Sequence, residues 1–320
     1  MKANDDKTLS ENSDTAGSTL DLINWPRITI VTAVRNCARY IDEAICSVLD
    51  QGYPNLEYII VDGLSTDGTV DIIRKYEKHL AWWVSQADEN VYQALNTGFS
   101  RSSGQILGWL NASDKLHPKS LYVVGSVFAG LPSVEWITGR PTQFSEDGMT
   151  IGVFAVPRWS RQRYLAGGNQ HIQQESTFWR RSLWEKAGAA LIESYRDVGD
   201  ADLWVRFFRH ARLYPVDALI GGWRDHPDSI SHSNLESYNL KLKTVIESEI
   251  ERSPECRSVR LLKRIDGAMK RIPKVRVIWQ RLVMDTIIWS LYRLPGSDLP
   301  LTIRYQKGRW QFQRTPWLPE

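Results

Sequence analysis

The sequence is poor in cysteine, and the few cysteines follow no pattern. Among 320 residues there are three, Cys37, Cys46 and Cys256, which give no disulfide framework and lack the spacing of a metal site. The six histidines are scattered without zinc-binding spacing. These absences argue against a disulfide-stapled secreted fold and against a zinc centre, and they favour a reduced, cytoplasmic setting.

Long apolar runs and targeting signals are also missing. No stretch reaches about eighteen uninterrupted apolar residues, so the sequence predicts no transmembrane span. Residues 1–20 are polar and acidic without an apolar run, which argues against a signal peptide, and residues 1–24 are expected to form a disordered leader. The net charge of +3 is too small to indicate nucleic acid as a partner.

Several motifs of nucleotide-binding and hydrolytic enzymes are absent as well. The chain has neither a GxGxxG fingerprint nor a Walker sequence, which argues against a dinucleotide enzyme and a P-loop NTPase. It also lacks the GxSxG elbow of α/β-hydrolases. Any chemistry must therefore depend on other residues.

Strand and helix patterns alternate along the first half of the chain. The segments that predict buried strands are RITIVTAV (27–34), LEYIIVDG (56–63), AWWVSQAD (81–88) and QILGWL (105–110). Helical periodicity separates these strands, and further elements are predicted as helices at about 118–130 and 200–211 and strands at about 134–140 and 215–224. This order predicts an α/β fold with a mostly parallel central sheet flanked by helices.

Polar side chains follow the predicted strands where each strand ends. Asp62 and Asp88 close the second and third strands, and Asn111 to Asp114 follow the fourth. Because parallel strands have their carboxyl ends along one edge of the sheet, these side chains are expected to converge on one crevice. The sequence therefore predicts a binding site at this edge.

At this point the residues resemble a known family. The run ITIVTAVRN…IDEAICSVLDQGYPNLEYIIVDGLSTDGTVDIIRKY is similar to the amino-terminal half of family 2 glycosyltransferases, which have a GT-A fold. DENVYQALNTGFSRSSGQILGWLNASD resembles the segment that leads to the DXD-type motif of that family, and QESTFWRRSLWEKAG with DADLWVRF resembles its acceptor side. The resemblance covers about residues 27–232.

The resemblance implies a pocket for a nucleotide-diphosphate sugar. Asp62 matches the acid that recognises the base, and Ala33 and Val34 would line the base and ribose pocket. Asp88 and Asn96 stand where the family closes over the donor. The alternative for Asp62 is a plain cap of the STDG turn, and the alternative for Asp88 is an ordinary helix-start acid.

The resemblance also implies a divalent cation, Mg²⁺ or Mn²⁺, at the DXD-type segment. Asp114 matches its last acid and is the expected metal ligand, with Asn111 and Ser113 on the donor side and His226 as a further candidate ligand. Relatives often carry two adjacent acids here, whereas this chain has Ser113 before Asp114. Metal dependence is therefore open at this stage, because one carboxylate offers less charge to a cation.

Asp200 matches the catalytic base of the family. A carboxylate in reach of the acceptor hydroxyl can take its proton, and one carboxylate opposite the leaving group gives inversion. Asp202, two residues further on, is the rival, and Glu175 is a weaker candidate on the acceptor side. Either Asp could instead be a helix N-terminal acid that suits the dipole.

The composition shifts towards the carboxyl terminus. We expect a GT-A domain over residues 25–235 and a basic, amphipathic helical extension over 236–320. Residues 252–281 carry ten Lys or Arg against two acids, and 277–294 are apolar over most of the predicted helix circumference. The pattern of 252–294 fits contact with a membrane surface, and it fits equally a helix packed on the main domain or on a second subunit.

The leading hypothesis is thus an inverting glycosyltransferase that moves a sugar from a nucleotide-diphosphate donor to a saccharide acceptor carried by a lipid, in bacterial polysaccharide synthesis at the inner face of the membrane. A transferase fold that has lost activity and serves as a scaffold is the alternative, motivated by Ser113. A nucleotidyltransferase is disfavoured, because RNCARY follows the first strand instead of a glycine- and Arg/Lys-rich loop.

Overall fold

The computed structural model describes residues 24–166, 171–227, 235–253, 256, 259–260, 264 and 301–314. The strands are β1 Ile28–Val34, β2 Leu56–Asp62, β3 Trp82–Ser85, β4 Ile106–Trp109, β5 Lys115–Leu116, β6 Trp136–Thr138, β7 Thr142–Phe144, β8 Thr150–Val153, β9 Thr177–Arg180, β10 Leu213–Pro215, β11 Gly221–Arg224, β12 Leu301–Gln306 and β13 Arg309–Arg314. The α-helices are α1 Ile41–Leu49, α2 Thr69–Lys75, α3 Val91–Arg101, α4 Ser120–Gly130, α5 Arg161–Ala166, α6 Arg181–Lys186, α7 Gly199–Phe207 and α8 Leu235–Arg252.

The predicted α/β architecture is confirmed. Seven strands form the central sheet in the order β10-β6-β9-β4-β1-β2-β3, and β9 alone of these runs antiparallel to its neighbours. Strands β5, β11, β7 and β8 form a second sheet. The predicted strand at 215–224 is wrong as one element, because β10 ends at Pro215 in the central sheet and β11 begins at Gly221 in the second sheet.

The central strands are buried on both faces, which is why they read as continuous apolar runs. Along β1, Val31 packs into the cluster on one face while Ile28 and Ile30 pack into the cluster on the other. Helix α1 covers the second face with residues spaced three and four apart, among them Ile41 and Ile45. The sheet is thus a rigid platform whose strand ends carry the candidate site.

Many of the tryptophans serve the core. Trp109, Trp136, Trp179 and Trp204 are all at most 4% exposed. The rings of Trp109 and Trp204 are nearly parallel with centroids 5.7 Å apart, and Trp136 lies 5.6 Å from Trp204. This stack fastens α7 to the sheet and so fixes where the first turn of α7 lies.

The carboxyl-terminal region differs from the predicted extension. Helix α8 buries Leu242, Val245, Ile246 and Ile250 in the core, so the predicted boundary at residue 235 does not separate it from the domain. Residues 301–314 form an antiparallel hairpin of β12 and β13, which corrects the prediction of a helix there. Lys307 and Gly308 turn the chain with φ of 50° and 77°, the left-handed conformation that tight hairpin turns need.

Two further predictions fall outside the described residues. The leader, apart from Asn24, and the segment 277–294 are not described, and only residues 252–253, 256, 259–260 and 264 of the basic stretch are. Among the described residues, no helix has the length and apolarity that a membrane span requires.

Candidate functional site

Asp62 lies at the carboxyl end of β2, beside Val34 at the end of β1. Its carboxylate is fully buried and accepts hydrogen bonds from the Ser65 backbone N–H at 3.0 Å, the Ser65 hydroxyl at 2.5 Å and the Ser85 hydroxyl at 2.6 Å. Asp62 therefore caps the turn that follows β2, and the turn in return holds the carboxylate at the sheet edge. Ala33 and Val34 line the same edge and are almost completely buried.

Asp88 approaches the backbone that follows Asp62. A Cβ atom on Gly63 would lie 2.4 Å from Asp88 Oδ2, so the carboxylate can take this position only beside a glycine. Burial raises the pKa of Asp88, the charge of Arg35 lowers it and the charge of Asp62 raises it. Arg35 is an exposed cation within electrostatic reach of Asp88, and no local sequence pattern distinguishes it.

Asp114 is buried and doubly hydrogen-bonded at the end of β4. Its Oδ1 accepts the backbone N–H of Arg224 at 2.9 Å, and its Oδ2 accepts Asn111 Nδ2 at 3.0 Å. Burial raises the pKa of Asp114 to about 6 in spite of these hydrogen bonds and the Arg224 charge. Asn111 thus orients the carboxylate, as its position three residues earlier allows.

Arg224 holds the segment of Ser113 and Asp114 in place. Its buried guanidinium donates from Nε to the Ser113 carbonyl at 2.6 Å and from Nη1 to the Glu146 carbonyl at 2.7 Å. Its Nη2 pairs with Glu43 Oε2 at 2.5 Å. Arg224 therefore holds Ser113, Glu146 and Glu43 together as a structural clamp.

The site offers a cation one carboxylate, that of Asp114, whose orientation is fixed by hydrogen bonds. Within the part of the chain that is described, no three His, Cys, Asp or Glu residues form a group that could hold a metal ion. Each oxygen of Asp114 has used one acceptor site and keeps another, so the group fits a Mg²⁺ or Mn²⁺ ion that takes its other ligands from phosphate and water. His226 stacks near Tyr40, with ring centroids 4.9 Å apart, and Arg224 lies over the same Tyr40 ring.

Asp200 stands in the first turn of α7, as predicted. Its Oδ1 is buried and, among the described residues, has no hydrogen-bond partner, while the residue as a whole is partly exposed. Burial raises its pKa to about 6, and hydrogen bonding to the backbone N–H groups of Ala201 and Asp200 and to the Tyr92 side chain opposes the rise. A buried oxygen with a free acceptor site is what a general base needs.

Asp202 has a different role. It is buried and forms an ion pair with Arg206, one helical turn later, at 2.8 Å between Nε and Oδ2. This pair stabilises α7 and leaves Asp202 occupied. Asp202 is thus engaged in an ion pair, whereas Asp200 Oδ1 has no hydrogen-bond partner among the described residues.

Glu175 links the two ends of the site electrostatically. It is 4% exposed and accepts Gln173 Nε2 at 2.5 Å. Burial raises its pKa well above the usual value, and the charges of Asp114 and Asp200 both raise it further. Both the candidate metal ligand and the candidate base are therefore within electrostatic reach of Glu175.

Asn96 does not join the predicted donor pocket. Its Nδ2 donates to the Leu191 carbonyl at 2.9 Å and to Glu193 Oε1 at 3.0 Å, and its Oδ1 accepts the Leu191 N–H at 2.8 Å. The amide ties α3 to the loop before α7. The structure thus assigns Asn96 a structural role, because both ends of its amide are engaged.

Part of the chain is similar to known glycosyltransferases. Residues 29–138 match the model of glycosyl transferase family 2. A putative teichuronic acid biosynthesis glycosyltransferase of Bacillus subtilis, TuaG, is 37% identical over 100 residues, which is 29% of this chain and 39% of that protein. The match thus spans well under half of the relative.

Solved structures share the fold. Staphylococcus aureus TarS, residues 1–349, in complex with UDP-GlcNAc superposes with a TM-score of 0.61 at 14% identity, over 82% of this chain and 78% of that one. The mannosyltransferase PcManGT from Pyrobaculum calidifontis, in complex with GDP-Man and Mn²⁺, gives 0.50 at 15% identity, over 85% and 88%. The chain therefore has the fold of these GT-A structures, and its residues 29–138 are similar to glycosyl transferase family 2.

Proposed function

We propose that the protein is an inverting glycosyltransferase that moves a sugar from a nucleotide-diphosphate donor to a lipid-linked saccharide in the synthesis of a bacterial surface polysaccharide. The observation that carries the proposal is Asp200, whose buried Oδ1 has a free acceptor site and which is joined electrostatically to Asp114 through Glu175. The teichuronic acid relative supports the class of product.

The donor binds at the ends of β1 and β2 in this proposal. Asp62 fixes the turn that forms the wall of the base pocket, and Ala33 and Val34 line the pocket for the base and ribose. Arg35 is exposed beside Asp88 and supplies positive charge near the diphosphate. The nucleotide sugars bound by the structural neighbours support a donor of this type.

Asp114 would hold a divalent cation. Such a cation would neutralise the negative charge that develops on the leaving diphosphate, and Mg²⁺ commonly takes only one or two carboxylates from a protein when phosphates supply the rest. Ser113 would contact the ribose or the hydration shell of the cation. His226, within the loop after β11, is the further ligand proposed.

Asp200 removes the proton from the acceptor hydroxyl as it attacks the anomeric carbon. With a pKa of about 6 the carboxyl is mostly ionised at neutral pH, yet it is more basic than an exposed Asp. Direct attack opposite the leaving diphosphate gives inversion. The protein would act at the cytoplasmic face of the membrane, where a lipid-linked acceptor is exposed.

The test compares Asp200→Asn with Asp202→Asn. The first removes the proposed base and should lower turnover about 10²–10⁴-fold, while the thermal shift caused by the nucleotide sugar stays. The matched control removes the ion pair with Arg206 and should retain turnover. Equal turnover in Asp200→Asn and the unchanged protein would remove Asp200 from the mechanism.

Ser113 favours a second candidate, a transferase fold that has lost activity and scaffolds an assembly. It predicts nucleotide-sugar binding without turnover, and metal would not alter that binding. Transfer or hydrolysis of any sugar nucleotide by the purified protein, measured as release of nucleoside diphosphate, excludes this candidate.

A further inference from the structure

An exposed surface of mixed apolar and basic character lies beside the candidate site. It is made of β8, the segment 217–219 and the hairpin β12–β13, and is called the apolar–basic surface below. Backbone hydrogen bonds join its parts in a row: Phe154 N to Pro141 O, Arg140 N to Ala218 O and Asp217 N to Ile303 O, each at 2.9 Å. These contacts connect the end of β8 to the hairpin through residues 140–141 and 217–218.

The apolar part is concentrated on one strand. Met149, which precedes β8, is 63% exposed, and Ile151 and Val153 of β8 are 55% and 50% exposed. Ile151 lies at a shift in register between Gly152, which is opposite Gln143, and Thr150, which is opposite Phe144. Leu219 and Tyr305 extend this exposed apolar area towards the hairpin. Contiguous large apolar side chains of this kind indicate an interaction surface, because single exposed ones are common but rows are not.

The basic part is the hairpin. Residues 301–314 contain Arg304, Lys307, Arg309 and Arg314 and no acid. Asp217 pairs with Arg140 at 2.5 Å and with Arg304 at 2.9 Å, so Arg304 is engaged, and Lys307, Arg309 and Arg314 are the exposed basic groups of the hairpin. Asp147, in the turn before β8, is an exposed acid at the opposite end of the surface.

The strand directions place the hairpin tip at the edge that carries the candidate site. Ile303 of β12 bridges in parallel to Val216, β10 is parallel to β6, and both β6 and β4 are antiparallel to β9. Strand β12 therefore ends at the same sheet edge as β4, β1 and β2. The turn at Lys307 and Gly308 extends beyond that edge.

We propose that the apolar–basic surface docks the protein onto an anionic lipid bilayer. Apolar side chains enter the boundary between headgroups and acyl chains, while Lys and Arg bind headgroup phosphates and Tyr lies at the interface. Docking through this surface turns the carboxyl edge of the sheet towards the membrane. The role of this docking in catalysis rests on the proposed lipid-linked acceptor, whereas binding to the bilayer can be measured without turnover.

The experiment measures flotation of the full-length protein with vesicles of phosphatidylcholine, with and without phosphatidylglycerol. We expect binding to the anionic vesicles that weakens with salt. Lys307→Glu with Arg309→Glu, and separately Ile151→Gln with Val153→Gln, should each weaken binding at least about tenfold. All four side chains are exposed, and melting curves confirm that the variants fold.

Matched controls separate this surface from general charge and apolarity. Lys75→Glu with Lys78→Glu makes the same change in net charge on exposed residues near α2, and Leu240→Gln removes an exposed leucine from α8. Both controls should bind vesicles like the unchanged protein. Binding that survives in the two surface variants, or equal binding to neutral vesicles, overturns the proposal.

Two further outcomes are distinguished by the same variants. If the surface pairs copies of this chain, the unchanged protein elutes as an oligomer and the Ile151 and Val153 variant as a monomer, which overturns membrane docking. Turnover with a soluble acceptor is expected to stay unchanged in both surface variants. Loss of vesicle binding with intact turnover supports docking, whereas absent turnover in the unchanged protein contradicts only the proposed function.

Discussion

Asp200 has an environment that opposes its own charge. Its carboxyl is held at a helix start, one oxygen is buried without a hydrogen-bond partner among the described residues, and burial raises its pKa to about 6. A residue that costs stability when ionised is typical of a functional site, because a structural acid would be paired as Asp202 is. The contrast between Asp200 and Asp202, two acids in one helix turn, supports the proposal that Asp200 is the base.

This environment predicts a pH dependence of activity. Since the ionised carboxylate is the base, kcat/KM should fall about tenfold per pH unit below about 6 and level off above about 7. Initial rates at saturating Mg²⁺ or Mn²⁺ would measure this pH dependence. The control variant, Asp202→Asn, should show the same fall in kcat/KM at low pH. A flat profile from pH 5 to 7 would assign proton removal to another group.

The same environment predicts that Asp200→Asn stabilises the fold. A raised folded pKa means that the folded state binds more protons than the unfolded state between pH 4 and 6, so the unchanged protein loses stability as the pH rises through that window. The variant should gain about 1–3 kcal/mol of unfolding free energy at pH 7. Urea denaturation should show the gain shrinking towards pH 4, and a destabilised variant would contradict this account.

At the scale of elements, β11 connects the candidate metal ligand to the rest of the site. Its Arg224 binds Asp114 and Ser113, and its Gly221 lies against Glu175. Strand β11 therefore sets the mutual position of Asp114 and Glu175. No local pattern identifies this role of Arg224, because its four partners, Asp114, Ser113, Glu146 and Glu43, come from distant segments of the chain.

Gly221 should not tolerate a side chain. A Cβ atom there would lie 2.1 Å from the Glu175 carbonyl oxygen, a backbone atom that cannot move aside cheaply. Gly221→Ala should destabilise the protein by roughly 3 kcal/mol or more and reduce turnover. Gly130→Ala, at a helix position with open space, should be neutral or slightly stabilising in the same melting experiment. Equal melting temperatures for the two variants would contradict the packing of β11.

At the scale of the whole molecule, the carboxyl-terminal hairpin belongs to the core. Ile303 is fully buried, Trp310 donates to the Ser126 hydroxyl at 2.8 Å, and β12 covers the edge of β10. A covered edge strand cannot pair with another chain. The hairpin therefore protects the sheet from aggregation as well as presenting basic groups.

Ile303→Ala should destabilise the protein by about 2–4 kcal/mol, because it leaves a cavity in the core. Tyr305→Ala, two residues on but exposed, should change the unfolding free energy by about 0.5 kcal/mol or less. Chemical denaturation measures both. A small effect of Ile303→Ala would mean that the hairpin is not an integral part of the domain.

Local patterns of the sequence determined the α/β alternation and the strand-end acids, because a buried parallel strand and the turn after it are encoded by neighbouring residues. Asp62, Asp114 and Asp200 could be selected in this way, with the help of family resemblance. The tertiary structure alone decided that Asn96 binds the 191–193 loop, that Arg224 clamps Asp114 and that residues 301–314 cover β10. Those contacts join residues far apart in the chain, and no local pattern specifies them.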